Sequence, residues 1–323
     1  MKNASDMGFV KVAALSPAVT VANPEKNAGT ALSAIREAAA LGAQVMVLPE
    51  LHLSGYTCAD LFQQDRLIAR CEEAMGKILR ETAEIPALIA IGLPVRAFDA
   101  LYNCAAVLQS GKILGVVPKR YLPNYQEFYE KRWFASGNHI PGRDVTLCGE
   151  PVSFGAQLFR LGSLTVGVEL CEDLWVPIPP SSQMALAGAN LILNLSASNE
   201  LVAKNAYRRD LIANQSGRCI CAYAYASAGV GESTTDLVFS GACTVAENGS
   251  ILAESGRFSR TGSSAMACID VSRLAAERRK NGSFHDNAQE FFSGLPVTSG
   301  VLPLLDPARM DRPYDPTPFI PRD

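Results

Sequence analysis

The sequence predicts an α/β protein, a four-layer α-β-β-α sandwich. Three observations predict it. Short apolar runs alternate with amphipathic stretches along most of the chain, the rhythm occurs in both halves, and each half carries a hairpin signal: Ser110-Gly111 in the first, Glu247-Asn248-Gly249 in the second. Two such units, each with an inner sheet and outer helices, bury their strands between layers. No clear internal repeat accompanies the rhythm.

The elements follow in order. Residues 10–16 read as a strand, 24–41 as a helix capped by Asn23 and stopped by Gly42, and 43–48 as a second strand. A helix over 61–83 and a strand over 87–95 come next. Strands 102–109 and 112–117 flank Ser110-Gly111 and should be antiparallel. In the second half the pattern predicts strand 164–170, helix 182–187, strand 190–195, helix 201–216 and strand 219–226, then a hairpin of 241–246 with 250–253. Beyond about Ser283 the character changes. Pro303, Pro307, Pro313, Pro316, Pro318 and Pro321 are too many rigid residues for a helix or a central strand. The expected organisation is a folded unit over residues 1–287 and an extended proline-rich arm over 288–323, leading toward a further domain.

Composition narrows the function classes. With 323 residues, 48% apolar, and a mean hydropathy of +0.10, the chain can bury a substantial core. A formal charge of -3 offers no basic field for nucleic acid. No apolar stretch approaches the roughly 18 residues that span a bilayer, and residues 1–8 lack the apolar centre of a signal peptide. A cytoplasmic protein without nucleic-acid or membrane partners is expected. The nine cysteines are odd in number, and Cys104, Cys219, Cys221 and Cys243 lie inside apolar runs, which suits free buried thiols. Cys219-Ile220-Cys221 lacks the spacing of zinc ligands, so no metal is expected.

Cys171 stands where an apolar run breaks into acidic residues, Val168-Glu169-Leu170-Cys171-Glu172-Asp173-Leu174-Trp175. A thiol at a strand end is placed to attack. Nucleophilic cysteines commonly borrow a histidine, yet His52, His139 and His285 are all distant in sequence. Another residue type is then a candidate base. Two further strand ends supply charged groups: Val47-Leu48-Pro49-Glu50 a carboxylate, Val116-Val117-Pro118-Lys119 an ammonium. Singly, each has an ordinary reading: Glu50 as a helix cap, Lys119 as a surface charge, Cys171 as a small core residue. Three together, each ending an apolar strand, form one constellation.

The surroundings of these residues resemble the nitrilase superfamily, which cleaves C–N bonds with a Glu-Lys-Cys set, and more closely the N-terminal glutaminase domain of glutamine-dependent NAD synthetases. The resemblance covers roughly residues 10–287. It rests on Leu48-Pro49-Glu50-Leu51 with Ser54-Gly55-Tyr56; on Pro118-Lys119-Arg120-Tyr121-Leu122-Pro123-Asn124-Tyr125 through Glu127-Phe128-Tyr129-Glu130 to Trp133-Phe134; on Cys171-Glu172-Asp173-Leu174-Trp175 with Pro179-Pro180-Ser181; and on Gly231-Glu232-Ser233-Thr234-Thr235-Asp236. The tail, Arg312-Pro313-Tyr314-Asp315-Pro316-Thr317-Pro318-Phe319, is similar to the connection to a synthetase domain.

The resemblance implies that Cys171 attacks the side-chain amide of L-glutamine to give a thioester. Glu50 would move the protons, and Lys119 would hold the oxyanion beside the backbone N–H of Glu172. A second glutamate holding the lysine is Glu130 or Glu127, with Glu130 preferred. Tyr125, Glu172 and Ser198 are implied to line the glutamine pocket, and Lys204 to pair with its carboxylate, although a lysine there also fits a solvated helix face. The loop at 231–236 reads as an ordinary turn, or by resemblance as part of an interface between subunits of a homo-oligomer.

The resulting expectation is a glutaminase unit that supplies ammonia for amidation of deamido-NAD by a synthetase domain. ATP and magnesium are expected only in that domain, with no cofactor here, because the chain has no Ser-Gly-Gly-x-Asp-Ser pyrophosphate loop. The alternatives are a stand-alone C–N hydrolase, such as an ω-amidase or carbamoyl-amine hydrolase, and an inert scaffold. The intact triad argues against the scaffold.

Overall fold

The computed structural model describes residues 3–138, 140, 142–291, 294–313, 317 and 320. In order, the chain forms β1 (Phe9–Pro17), α1 (Pro24–Ala40), β2 (Val45–Val47), α2 (Asp65–Glu81), β3 (Leu88–Ala97), β4 (Ala100–Gln109), β5 (Lys112–Pro118), β6 (Arg143–Leu147), β7 (Glu150–Phe154), β8 (Leu158–Leu161) and β9 (Leu164–Leu170). Then come α3 (Pro180–Leu186), β10 (Leu191–Ser196), α4 (Lys204–Arg218), β11 (Ala222–Ser227), β12 (Cys243–Glu247), β13 (Ser250–Glu254), β14 (Gly262–Asp270), α5 (Val271–Lys280), α6 (Gly282–Phe291) and β15 (Val297–Gly300).

Eight strands form one sheet in the order β14-β1-β2-β3-β4-β5-β7-β6, and seven form a second in the order β13-β12-β11-β10-β9-β8-β15. Strand alternation explains their stacking. In β1, Val10, Val12 and Ala14 point into the layer between the sheets, while Ala13 and Leu15 face the helices α1 and α2. In β11, Ala222, Ala224 and Ala226 enter the same central layer, and Tyr223 and Tyr225 turn outward to the cluster that includes Ile212 of α4. The result is the four-layer sandwich, with α1 and α2 on one outer face and α3 and α4 on the other.

Local chemistry sets the elements. Asn23 accepts the Lys26 N–H at 3.1 Å, Pro24 opens α1, and Ala28, Ala31, Leu32, Ile35 and Ala38 form its buried stripe. Ser110 and Gly111 have φ of 48° and 74°, and Asn248 and Gly249 46° and 88°; both pairs are the left-handed turns that match strand twist.

Several boundaries move. The helix expected over 61–83 divides into a 3₁₀ turn, Ala59–Gln63, and α2, because Gln64 is extended. Helix α4 begins at Lys204, after Ala203 adopts φ 66°, and β11 begins at Ala222 because Ile220, at φ 44°, turns the chain first. The β6–β7 hairpin, β8, β14 and α5 are further elements absent from the sequence reading.

The break placed after residue 287 falls inside α6, and the segment beyond it returns to the body. Val297–Gly300 pairs in parallel with Leu158–Leu161 as an edge strand. Gln109 accepts the Val301 N–H at 2.9 Å, Leu305 is buried, and Arg312 bonds both carboxylate oxygens of Glu247 at 2.6 and 2.9 Å. Most of the tail motif, residues 314–316, 318 and 319, lies outside the described residues. Among the described residues no helix is long and apolar enough to cross a membrane.

Candidate active site

Strands β2 and β5 of one sheet and β9 of the other deliver side chains at their carboxyl ends, where the two sheets meet. After β2 the chain turns through Leu48-Pro49-Glu50, with Leu51 left-handed at φ 49°. This turn lies directly on Gly92 of β3. A Cβ at residue 92 would fall 2.3 Å from the Leu51 nitrogen and 2.4 Å from the Pro49 oxygen, so only glycine admits the turn. Glu50 is wholly buried. Its Oε1 accepts Lys119 Nζ at 2.6 Å and Asn103 Nδ2 at 2.6 Å, while Oε2 has no hydrogen-bond partner among the described residues.

Lys119 leaves β5 with its N–H bonded to the Asn103 carbonyl at 2.8 Å. Its Nζ lies 2.6 Å from Glu50 and 2.7 Å from Glu130. Burial opposes the ammonium, but the carboxylates of Glu130 and Glu50 outweigh it and hold the lysine well above its ordinary pKa. It is a fixed positive charge. Glu130 opens a short 3₁₀ turn, and its Oε1 also accepts the Tyr56 hydroxyl at 2.7 Å. Burial pushes the Glu130 carboxyl up to about 7, against the pull of Lys119. Of the two candidate glutamates, Glu130 is the one that reaches the lysine; Glu127 bonds Asn199 instead.

Cys171 begins the 3₁₀ turn Cys171–Leu174 with φ 42°, an uncommon left-handed conformation for a residue with a side chain. Asp173 staples this turn to the lysine segment: Oδ2 accepts the Leu170 N–H at 3.0 Å and Oδ1 the Tyr121 N–H at 2.9 Å. Burial raises the Cys171 thiol pKa, the charge of Glu50 adds to the effect, and Lys119 works against it. The resting group is a thiol that needs a base. Its residue is 5% exposed and lines a cavity of about 410 Å³ with Tyr125, Glu172, Trp175, Ser198 and Lys204.

The expected binding residues therefore all border one cavity, in different states. The Tyr125 hydroxyl lies 3.0 Å from both oxygens of Glu172. Lys204 donates to Asn199, and its Nζ lies 5.2 Å from the Trp175 ring and 5.7 Å from the Phe128 ring; among the described residues it forms no ion pair with a carboxylate. Burial lowers its pKa. Ser198 is buried, its N–H bonded to Ser227 Oγ at 3.1 Å. Sequence reasoning passed over Asn103 and Arg208. Asn103 fits the apolar alternation of β4 poorly, which was its only signal; Arg208, on α4, is fully buried and paired with Glu200. His52 is buried with its pKa lowered to about 4, first by desolvation, and His285 bonds Gln289; His139 lies outside the described residues. Among the described residues no group of three or more His, Cys, Asp or Glu is arranged to hold a metal ion.

Fold and site together are those of a C–N bond hydrolase. The carbon-nitrogen hydrolase family matches residues 11–279, and the chain belongs to that family. It is 40% identical over 324 residues to the glutamine-dependent NAD(+) synthetase of Mycobacterium tuberculosis, covering 98% of this chain and 48% of that protein. The chain thus spans about half the length of the curated relatives it matches. A solved glutamine-dependent NAD(+) synthetase from Cytophaga hutchinsonii superposes with a TM-score of 0.74 at 28% identity, over 81% of this chain and 43% of that one. An amidase from Nesterenkonia sp. gives a TM-score of 0.65 over 86% of this chain and 95% of the other; at 19% identity it speaks for the fold alone.

Proposed function

We propose that this chain hydrolyses the side-chain amide of L-glutamine and passes the ammonia to a synthetase domain that amidates deamido-NAD. The observation that carries the reading is the buried Glu50-Lys119-Glu130 cluster beside a pocket-facing Cys171. Glu50 Oε2 takes the thiol proton as Sγ attacks the amide carbon, and the negative charge moves to the carbonyl oxygen beside Lys119 and the Glu172 N–H. Collapse breaks the C–N bond, and Glu50 returns the proton to the departing nitrogen, which leaves as ammonia. Water then attacks the thioester, Glu50 receives its proton, and Sγ recovers that proton as glutamate departs.

In the pocket, Glu172 with Tyr125 suits the substrate α-ammonium and Lys204 suits its α-carboxylate. Support for glutamine comes from the names of the relatives, which are about 40% identical over nearly this whole chain. On the same reading ATP and magnesium bind in the synthetase domain, and the protein is a cytoplasmic homo-oligomer. Mixing the protein with L-glutamine should release ammonia, and a glutamine-like electrophile should label Cys171 alone among the nine cysteines. Turnover of another amide without turnover of glutamine would move the assignment to a stand-alone amidase; a label mapped to another thiol would remove Cys171 as the nucleophile.

A further inference from the structure

The loop at 231–236 is bound to the site by a carboxylate that the reaction itself does not require. Glu232 is buried, and its two oxygens accept the Tyr56 N–H at 2.7 Å, the Thr57 N–H at 3.0 Å and the Thr57 hydroxyl at 2.6 Å. Thr57 Oγ1 accepts the Ser233 N–H at 2.8 Å in return. Neighbouring backbone leaves little slack, because a Cβ on Gly231 would meet the Val19 carbonyl at 2.1 Å. Tyr56 in turn packs edge-on against Phe239, with ring centroids 5.8 Å apart, and its hydroxyl reaches Glu130 Oε1 at 2.7 Å.

We propose that Glu232 is a positioning residue for the reaction: through the backbone of Tyr56 and Thr57 it fixes the Tyr56 hydroxyl on Glu130, and so fixes Glu130 against Lys119. The inference rests on the catalytic reading of Glu50, Lys119 and Cys171 given above. The groups that act on Glu130 are Lys119 beyond β5, Glu50 beyond β2, and Tyr56 from the loop at 51–58; Cys171 beyond β9 feels the Glu130 charge. Lys119 and the Tyr56 hydroxyl both favour its ionised form. Displacing the hydroxyl therefore lets Glu130 keep its proton to higher pH.

Glu232→Gln tests this by replacing one acceptor oxygen with an amide that must face an N–H donor. Tyr56→Phe is the second variant; it keeps the ring against Phe239 and removes only the hydroxyl. In both, the acid limb of kcat/KM for L-glutamine should move alkaline by about half to one pH unit, a roughly three- to tenfold loss on that limb, with KM nearly constant. Because Glu232 acts through Tyr56, the double variant should shift no further than Tyr56→Phe alone. A limb unmoved in Glu232→Gln, or two shifts that add, overturns the proposal; a merely structural role would lower the rate at every pH without moving the limb. The pH dependence of Cys171 alkylation by iodoacetamide gives a substrate-free reading, and its midpoint should differ between wild type and both variants. A midpoint that differs between wild type and the variants, together with no ammonia release from glutamine by the wild-type protein, sinks the glutaminase reading and leaves the positioning role standing.

Discussion

At the floor of the site, Glu50, Lys119 and Glu130 are almost wholly buried and tied to Asn103 and Tyr56 by bonds of 2.6–2.7 Å. At its mouth, Tyr125 is 50% exposed, and Val202 and Tyr207 also stand out to solvent along the rim. The floor is specified by charge in a buried interior, where one missing partner leaves another group stranded. At the mouth, half-solvated aromatic and charged groups can adjust. On the proposed function, chemistry is set from beneath and substrate choice from above, so substitutions in the two places should fail differently.

Lys119→Met should give the largest effect. It leaves two carboxylates without their shared cation, which should cost about 3–5 kcal/mol of stability and about 10²–10³-fold in kcat. Thermal unfolding and ammonia release at saturating glutamine measure the two losses; a variant with wild-type kcat would show that the floor is not the catalytic centre. The next effect is one of pH. Burial sets the Glu130 carboxyl near 7, and protonation removes the negative charge that holds Lys119, so kcat/KM should fall as pH drops through about 7. A flat profile between pH 6 and about 8 would separate Glu130 from the reaction. The smallest change belongs to the mouth. Lys204→Met should raise KM for L-glutamine by about tenfold, the value of one lost charge-assisted contact, with kcat little altered. A fall in kcat with constant KM would place Lys204 among the groups that act on the transition state.

The same contrast governs what the sequence reveals. Glu50, Lys119 and Cys171 are legible because each interrupts an apolar strand at its carboxyl end, and a charge at that position has an evident destination. The layered fold is legible because β1, β9 and β10 alternate or run apolar over enough residues to declare themselves. Asn103, Tyr56 and Glu232 are harder to assign, since their importance lies in which side chain they meet across the fold. Strand β15 is harder still. Its four residues pair with Leu158–Leu161, far away in the chain, and carry no local signature of that pairing. Lys204 shows the limit from the other side: it lines the cavity with Cys171, yet its present partners are an amide and two rings.

Gly92 carries a consequence of its own. The carboxylate of Glu50 stands where it does because an atom is missing from the neighbouring strand. A population of variants screened for turnover should therefore purge every change at position 92, including alanine, and the position will pass for a contact with substrate although it only leaves room. Directed evolution of this scaffold toward other amides gains freedom by sparing that vacancy and diversifying the rim.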